Sequence, residues 1–132
     1  MYKLTQIKNF HDEIELETSD GKSEILEINL KIDPVCIKKY RELQLQIIEL
    51  QQQNKTNPGD TEIIEKIGAA VVNTFSLLLG TENTEKILAF YAGNYVDMMT
   101  GLYPYLETVI VPEFQKAAKQ RKKELSRGFK GR

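Results

Sequence analysis

Two periods run through the chain. Along EIELETSDGKSEILEINLKI, residues 13 to 32, apolar and mostly charged positions alternate on both sides of Asp20-Gly21. That spacing predicts a β-hairpin with one wet face. Ile14 and Leu16 occupy one side of the first strand, and Leu26, Ile28, Leu30 and Ile32 one side of the second, with Ile25 outside that row. A two-stranded hairpin is marginal alone, so it must pack on something else, and helices are what the remaining sequence offers.

From Pro34 onward the period changes to about 3.6. Asp33-Pro34 reads as an N-cap followed by proline at the first helical position, where its missing amide costs nothing. Tyr40, Leu43, Ile47 and Leu50 form a narrow apolar stripe that Leu45 and Ile48 widen, before Asn57-Pro58-Gly59 imposes a loop. Asp60 or Thr61 caps a second helix reaching about Leu79. Its main face carries Ile63, Ile67, Ala70, Val71, Phe75 and Leu78, while Ala69, Val72, Leu77 and Leu79 spread apolar surface round much of the remainder. That helix is expected at the centre of the fold.

The stretch GTENTEKILAFYAGNYVDMM, Gly80 to Met99, is dense in helix punctuation. Thr81 reads as an N-cap ahead of Glu82 and Glu85. Gly93 reads as a left-handed closing residue after Ile87, Leu88, Phe90 and Tyr91. Asn94 and Asp97 resemble a capping pair before Met98, Met99 and Leu102. Together these predict a helical corner. Beyond it, Pro104 and Pro112 predict a break before the first and a kink or boundary near the second. Residues 116 to 125 favour helix but are nearly all polar, and a basic flexible tail is expected over residues 126 to 132. The fold class is therefore mainly α (α+β): one domain over residues 1 to 125, a hairpin at about 13 to 32 and a bundle of about four to five helices at about 34 to 125.

Composition sharpens this picture at a few points. The chain has 132 residues, enough for one modest core. With 41% apolar residues and a net charge of −1 it has the balance of a globular chain. The near-neutral total hides an asymmetry. Lys116 to Arg132 holds eight basic residues against Glu124, a net of +7, and residues 1 to 115 hold 10 basic and 18 acidic groups, a net of −8. The lone Cys36 allows no intrachain disulfide and suits a reducing compartment. No signal sequence opens the chain, and no apolar run approaches the ~18 residues of a membrane span, so a cytoplasmic protein is expected.

Candidate chemistry is sparse. His11, the one histidine, has Asp12 and Glu13 next to it, but the polar setting favours a surface loop residue over a triad member. Cys36, one turn into a helix, could have a lowered pKa from the helix dipole. Without a partner it reads better as a small half-buried hydrophobe. No phosphate-binding glycine motif and no metal-ligand spacing occurs, and no catalytic residue, metal or cofactor is expected. Asn54-Lys55-Thr56 matches a glycosylation sequon by chance. A helix-turn-helix built from residues 61 to 92 would lack the positive charge that DNA requires: between Thr81 and Phe114 only Lys86 opposes five carboxylates. Tyr91, Tyr95, Tyr103 and Tyr105 either fill the core or form a recognition surface.

The order of these parts resembles a known family. A short hairpin, a middle helix ending in a small loop, then GTENTEKILAFYAGNYVDMM leading through a proline-punctuated VIVPEF helix to a lysine-rich end, is similar to the tail assembly chaperones of long-tailed bacteriophages, particularly those of Gram-positive hosts. The likeness covers most of the chain and is sharpest from Leu79 to Lys123. It implies a non-catalytic phage or prophage protein of the host cytoplasm, absent from the mature virion. Such a protein holds the tape measure protein soluble until tail tube protein polymerises around it. Self-association and a longer, frameshifted form are further possibilities in such a family. Tyr91, Tyr95, Met98 and Met99 are the candidate partner-binding residues, since flexible methionines and tyrosines suit an apolar helical client. The rival reading is a small nucleic-acid-binding regulator using the basic C-terminal tail.

Overall fold

The computed structural model describes residues 1–6 and 9–130, without the side chains of residues 124 and 127–130. The alternating segment forms strands β1 (Phe10–Glu17) and β2 (Ser23–Leu30), paired antiparallel with Phe10 opposite Leu30 and Glu17 opposite Ser23. The link is a five-residue loop, residues 18–22, closed by Thr18 N–H to the Lys22 carbonyl at 2.8 Å, with Gly21 at φ 86°. Leu26, Ile28 and Leu30 are buried, and Ile25 points to solvent, as the period requires. The outer face pairs Glu13 with Glu27 and Glu15 with Ile25.

Four helical rods follow. Helix α1 (Pro34–Thr56) starts at Asp33, whose carboxylate accepts the Cys36 N–H at 2.8 Å. It runs past the three glutamines to Thr56. Among its buried and half-buried positions, Cys36, Tyr40, Leu43, Ile47, Leu50 and Asn54 recur at alternating four- and three-residue steps, with Ile37 and Gln44 beside them, forming a seam against α2 (Thr61–Leu79). Leu45 and Ile48 do not widen this seam. They lie on the far side of α1, 66% and 52% exposed, because one rod of neighbours covers only one face. Asp60 caps α2, accepting from the amides of Glu62 and Ile63. As expected, α2 is central: it touches α1, α3 (Thr81–Phe90), α4 (Tyr95–Tyr105) and β2.

Two local expectations are corrected. Thr81 does not cap α3; it is the first helical residue, and Gly80 turns the chain at φ 92° without any side-chain cap. One glycine thus ends α2 and starts α3, with Thr84 returning its hydroxyl to the Gly80 carbonyl at 2.8 Å. At the other end of α3, Gly93 is left-handed (φ 79°) but is not alone. Ala92 is also left-handed, at φ 55°. The Gly93 amide bonds the Leu88 carbonyl and the Ala92 amide the Ala89 carbonyl, a six-to-one and five-to-two pair that makes Ala92 the closing residue of a Schellman motif.

The fourth rod does not break before Pro104. Helix α4 continues through it into a π-helical turn, Leu106–Ile110, and on into α5 (Val111–Lys130). The Val111 amide reaches five residues back to the Leu106 carbonyl. The wider turn between the two prolines absorbs the register their missing amides disturb. The Thr100 and Thr108 carbonyls that would have faced those amides belong to exposed residues, where water can reach. The Thr108 hydroxyl also caps the Pro104 carbonyl at 2.6 Å. The expected tail, residues 126–132, falls partly outside the described residues; its backbone as far as Lys130 continues α5.

The core joins the inner hairpin face to all four rods, with Ile28, Leu78, Ile87, Met98 and Ile110 almost entirely enclosed. Phe114 anchors the start of α5, its ring edge-on to Tyr40 with centroids 5.0 Å apart.

Candidate functional site

The helical corner exists as the punctuation predicts, with Asn94 accepting from the amides of Val96 and Asp97 at 3.0 and 3.2 Å. What it displays differs from the expected surface. Met98 is 0% exposed and belongs to the core, so it cannot touch a client while the protein is folded. One turn into α4, it shares the enclosed cluster with Phe75 and Leu78. Met99 is half-buried against the same cluster.

The two tyrosines lie across neighbouring helices. A Cβ at Gly68 would stand 2.9 Å from Tyr95 Cε1, so the ring rests on bare α2 backbone, and its hydroxyl reaches the Ile64 carbonyl at 3.3 Å. Likewise a Cβ at Gly101 would collide with the Tyr91 hydroxyl. Gly101 is therefore a notch inside α4. Tyr91 and Tyr95 each keep an intermediate exposure, so part of each ring remains reachable. Sequence reasoning missed the more exposed apolar side chains at the corner: Phe90, Val96 and, on α2 beside the Tyr95 hydroxyl, Ile64. Phe90 follows Leu88 by two positions, off the core stripe, which is the signal that could have found it.

Tyr105 turned inward. Its hydroxyl donates to Asp12 at 2.8 Å, tying the core-facing side of β1 to the end of α4. Burial, reinforced by the Asp12 carboxylate, holds this phenol far above the usual tyrosine range. Tyr103 stays exposed and donates to Glu107 at 2.5 Å.

His11 is exposed, but on β1 opposite Asn29 rather than in a loop, because the strand begins earlier than the alternation suggests. Cys36 is buried, and burial, followed by the Asp33 carboxylate, pushes its thiol up, against the lowering a helix start would give. Among the described residues no three His, Cys, Asp or Glu side chains gather as metal ligands, and no helix is long and apolar enough to cross a membrane.

A second feature was not foreseen. An open cleft of about 1480 Å³ separates the base of the hairpin from α5. Phe10, Ile32 and Ala117 give it half-buried apolar surface, and Lys31, Lys116, Lys119, Arg121 and Lys123 surround them, with Glu113 the one carboxylate in the lining among the described residues. Arg121 also bonds the Ile32 carbonyl at 3.4 Å, and Lys116 pairs with Glu113 at 3.5 Å. The spacing Glu113, Lys116, Ala117, Gln120 marks one face of α5; only the fold brings Lys31 to it. Compared with known proteins, the chain matches no family model, no curated protein and no solved structure.

Proposed function

We propose that this protein is a non-catalytic tail assembly chaperone of a phage or prophage, acting in the host cytoplasm to keep a tape measure protein soluble until tail tube protein assembles round it. The observation that carries the reading is the order of parts. A hairpin docks on a helical body, the Gly80 to Met99 corner follows the central helix, and a proline-bearing helix leads to a lysine-rich end, as the family resemblance implies. The client surface is moved from the one the sequence suggested: Phe90, Val96 and Ile64, with the reachable parts of Tyr91 and Tyr95, replace Met98. Exposed apolar side chains on adjacent helices suit the stripe of an amphipathic client helix.

Co-expression with the tape measure protein of the same genome tests this. The client is expected to remain soluble and to co-purify with the wild-type chain, and a folded Phe90→Ser/Val96→Asp variant to lose most of that effect. A wild type that neither binds the client nor keeps it soluble would end the chaperone reading. If it does both and the variant performs equally well, the corner alone is the wrong surface. The lysines of α5 favour a second reading, a nucleic-acid-binding regulator, whose mark would be DNA binding that falls steeply with salt.

A further inference from the structure

We infer that the cleft between the hairpin base and α5 is a docking site for an acidic amphipathic segment of another protein. This stands whether or not the chaperone reading does. The cleft exceeds the roughly 300–1,000 Å³ of small-molecule sites, so a stretch of polypeptide matches it better than a metabolite. Its chemistry has two parts. Phe10, Ile32 and Ala117 offer apolar surface that only an apolar side chain can use well. Around them Lys31 comes from the hairpin side and Lys116, Lys119 and Lys123 from α5. Among the described residues no carboxylate pairs with Lys31, Lys119 or Lys123. A helix with a leucine stripe flanked by glutamates satisfies both parts at once.

Charge elsewhere argues against a nucleic acid in the same place. A strand of nucleic acid carries its charge continuously, and any part of it that left the cleft over the exposed outer face of the hairpin would meet Glu13, Glu15, Glu17 and Glu27. A peptide can confine its carboxylates to the few turns that meet the lysines.

The test uses the full chain and three fluorescent probes read by anisotropy: an 18-residue helical peptide with a leucine stripe and glutamates elsewhere, the same peptide with lysine for glutamate, and an 18-nucleotide oligo-dT. The glutamate peptide is expected to bind saturably and more weakly as salt rises, and the lysine peptide not to bind. Lys116→Glu/Lys119→Glu should weaken binding at least tenfold. Lys31→Glu on the opposite wall should weaken it too, and carries the test if the double variant fails to fold. Lys66→Glu on α2, outside the cleft lining, should leave it unchanged. Absence of saturable binding to the glutamate peptide, or equal binding by both folded cleft variants, overturns the proposal. Tighter binding of oligo-dT through the same lysines overturns the choice of occupant and assigns the cleft to nucleic acid.

Discussion

Helices α2 and α5 are nearly equal in length, 19 and 20 residues, and are used in opposite ways. Helix α2 buries Ile63, Gly68, Ala70, Val71, Thr74, Phe75, Leu78 and Leu79, and even its buried hydroxyl is satisfied within the helix, Thr74 donating to the Ala70 carbonyl at 2.8 Å. Helix α5 is held near its start by Phe114 and farther along by the Arg121 bond to Ile32, and Lys116, Lys119 and Lys123 are exposed along the cleft. One helix is fixed on most sides by this chain's own residues. The other leaves most of its described positions beyond Phe114 exposed, so if the cleft binds as proposed, stability and binding are carried by different parts of the molecule and can be altered separately.

The largest break in that comparison should come from α2. Leu78 is 1% exposed, and Leu78→Ala is expected to cost about 2–5 kcal/mol, read as a fall in the urea midpoint at unchanged slope. A loss under about 1 kcal/mol would mean that the centre of the fold lies elsewhere. A smaller change of opposite sign is expected at the corner packed on α2. Ala92 holds a left-handed conformation that costs a residue with a Cβ about 1–2 kcal/mol. Glycine removes that strain but has more freedom to lose on folding, so Ala92→Gly should add about 0.5 kcal/mol net. Destabilisation by glycine would show that the Ala92 methyl contributes packing worth more than the strain. The smallest effect belongs to α5: Leu125, 62% exposed, should tolerate alanine within about 0.5 kcal/mol in thermal melts. A drop as large as that of Leu78→Ala would erase the contrast between the two helices.

Much of this architecture is legible in the sequence because local chemistry and the tertiary fold agree. The period-two run, the Asp33-Pro34 start, the Asn94 cap and the apolar girth of α2 all read correctly, and of the two caps left open for α2 the fold uses Asp60. Each is decided within a turn or two of chain. The failures share another cause. Thr81 looks like a cap until one sees that Gly80 has already turned the chain, and Met98 looks available until Leu78 and Ile87 close over the same cluster. Gly68 and Gly101 gain meaning only when the rings of Tyr95 and Tyr91 arrive from other helices. The cleft needed Lys31 beside α5, whose Lys116 lies 85 residues further along the chain. Periodicity can say which face of a helix is polar, but not which polar face another element will approach.

The attachments of the hairpin bear on when the molecule can finish folding. Its side-chain ties to the body come late in the chain: Asn83 to the Glu27 carbonyl, Lys86 to Glu24, Tyr105 to Asp12 and Arg121 to the Ile32 carbonyl. The last two partners are separated by 93 and 89 residues. At about 5–20 residues per second of synthesis, Ile32 is added roughly 4–18 seconds before Arg121, the residue that fastens the base of the hairpin. Throughout that interval Leu26, Ile28 and Leu30 have no finished core to enter, and the glutamates along the opposite face of the strands give the waiting segment a charge that discourages pairing with another nascent copy.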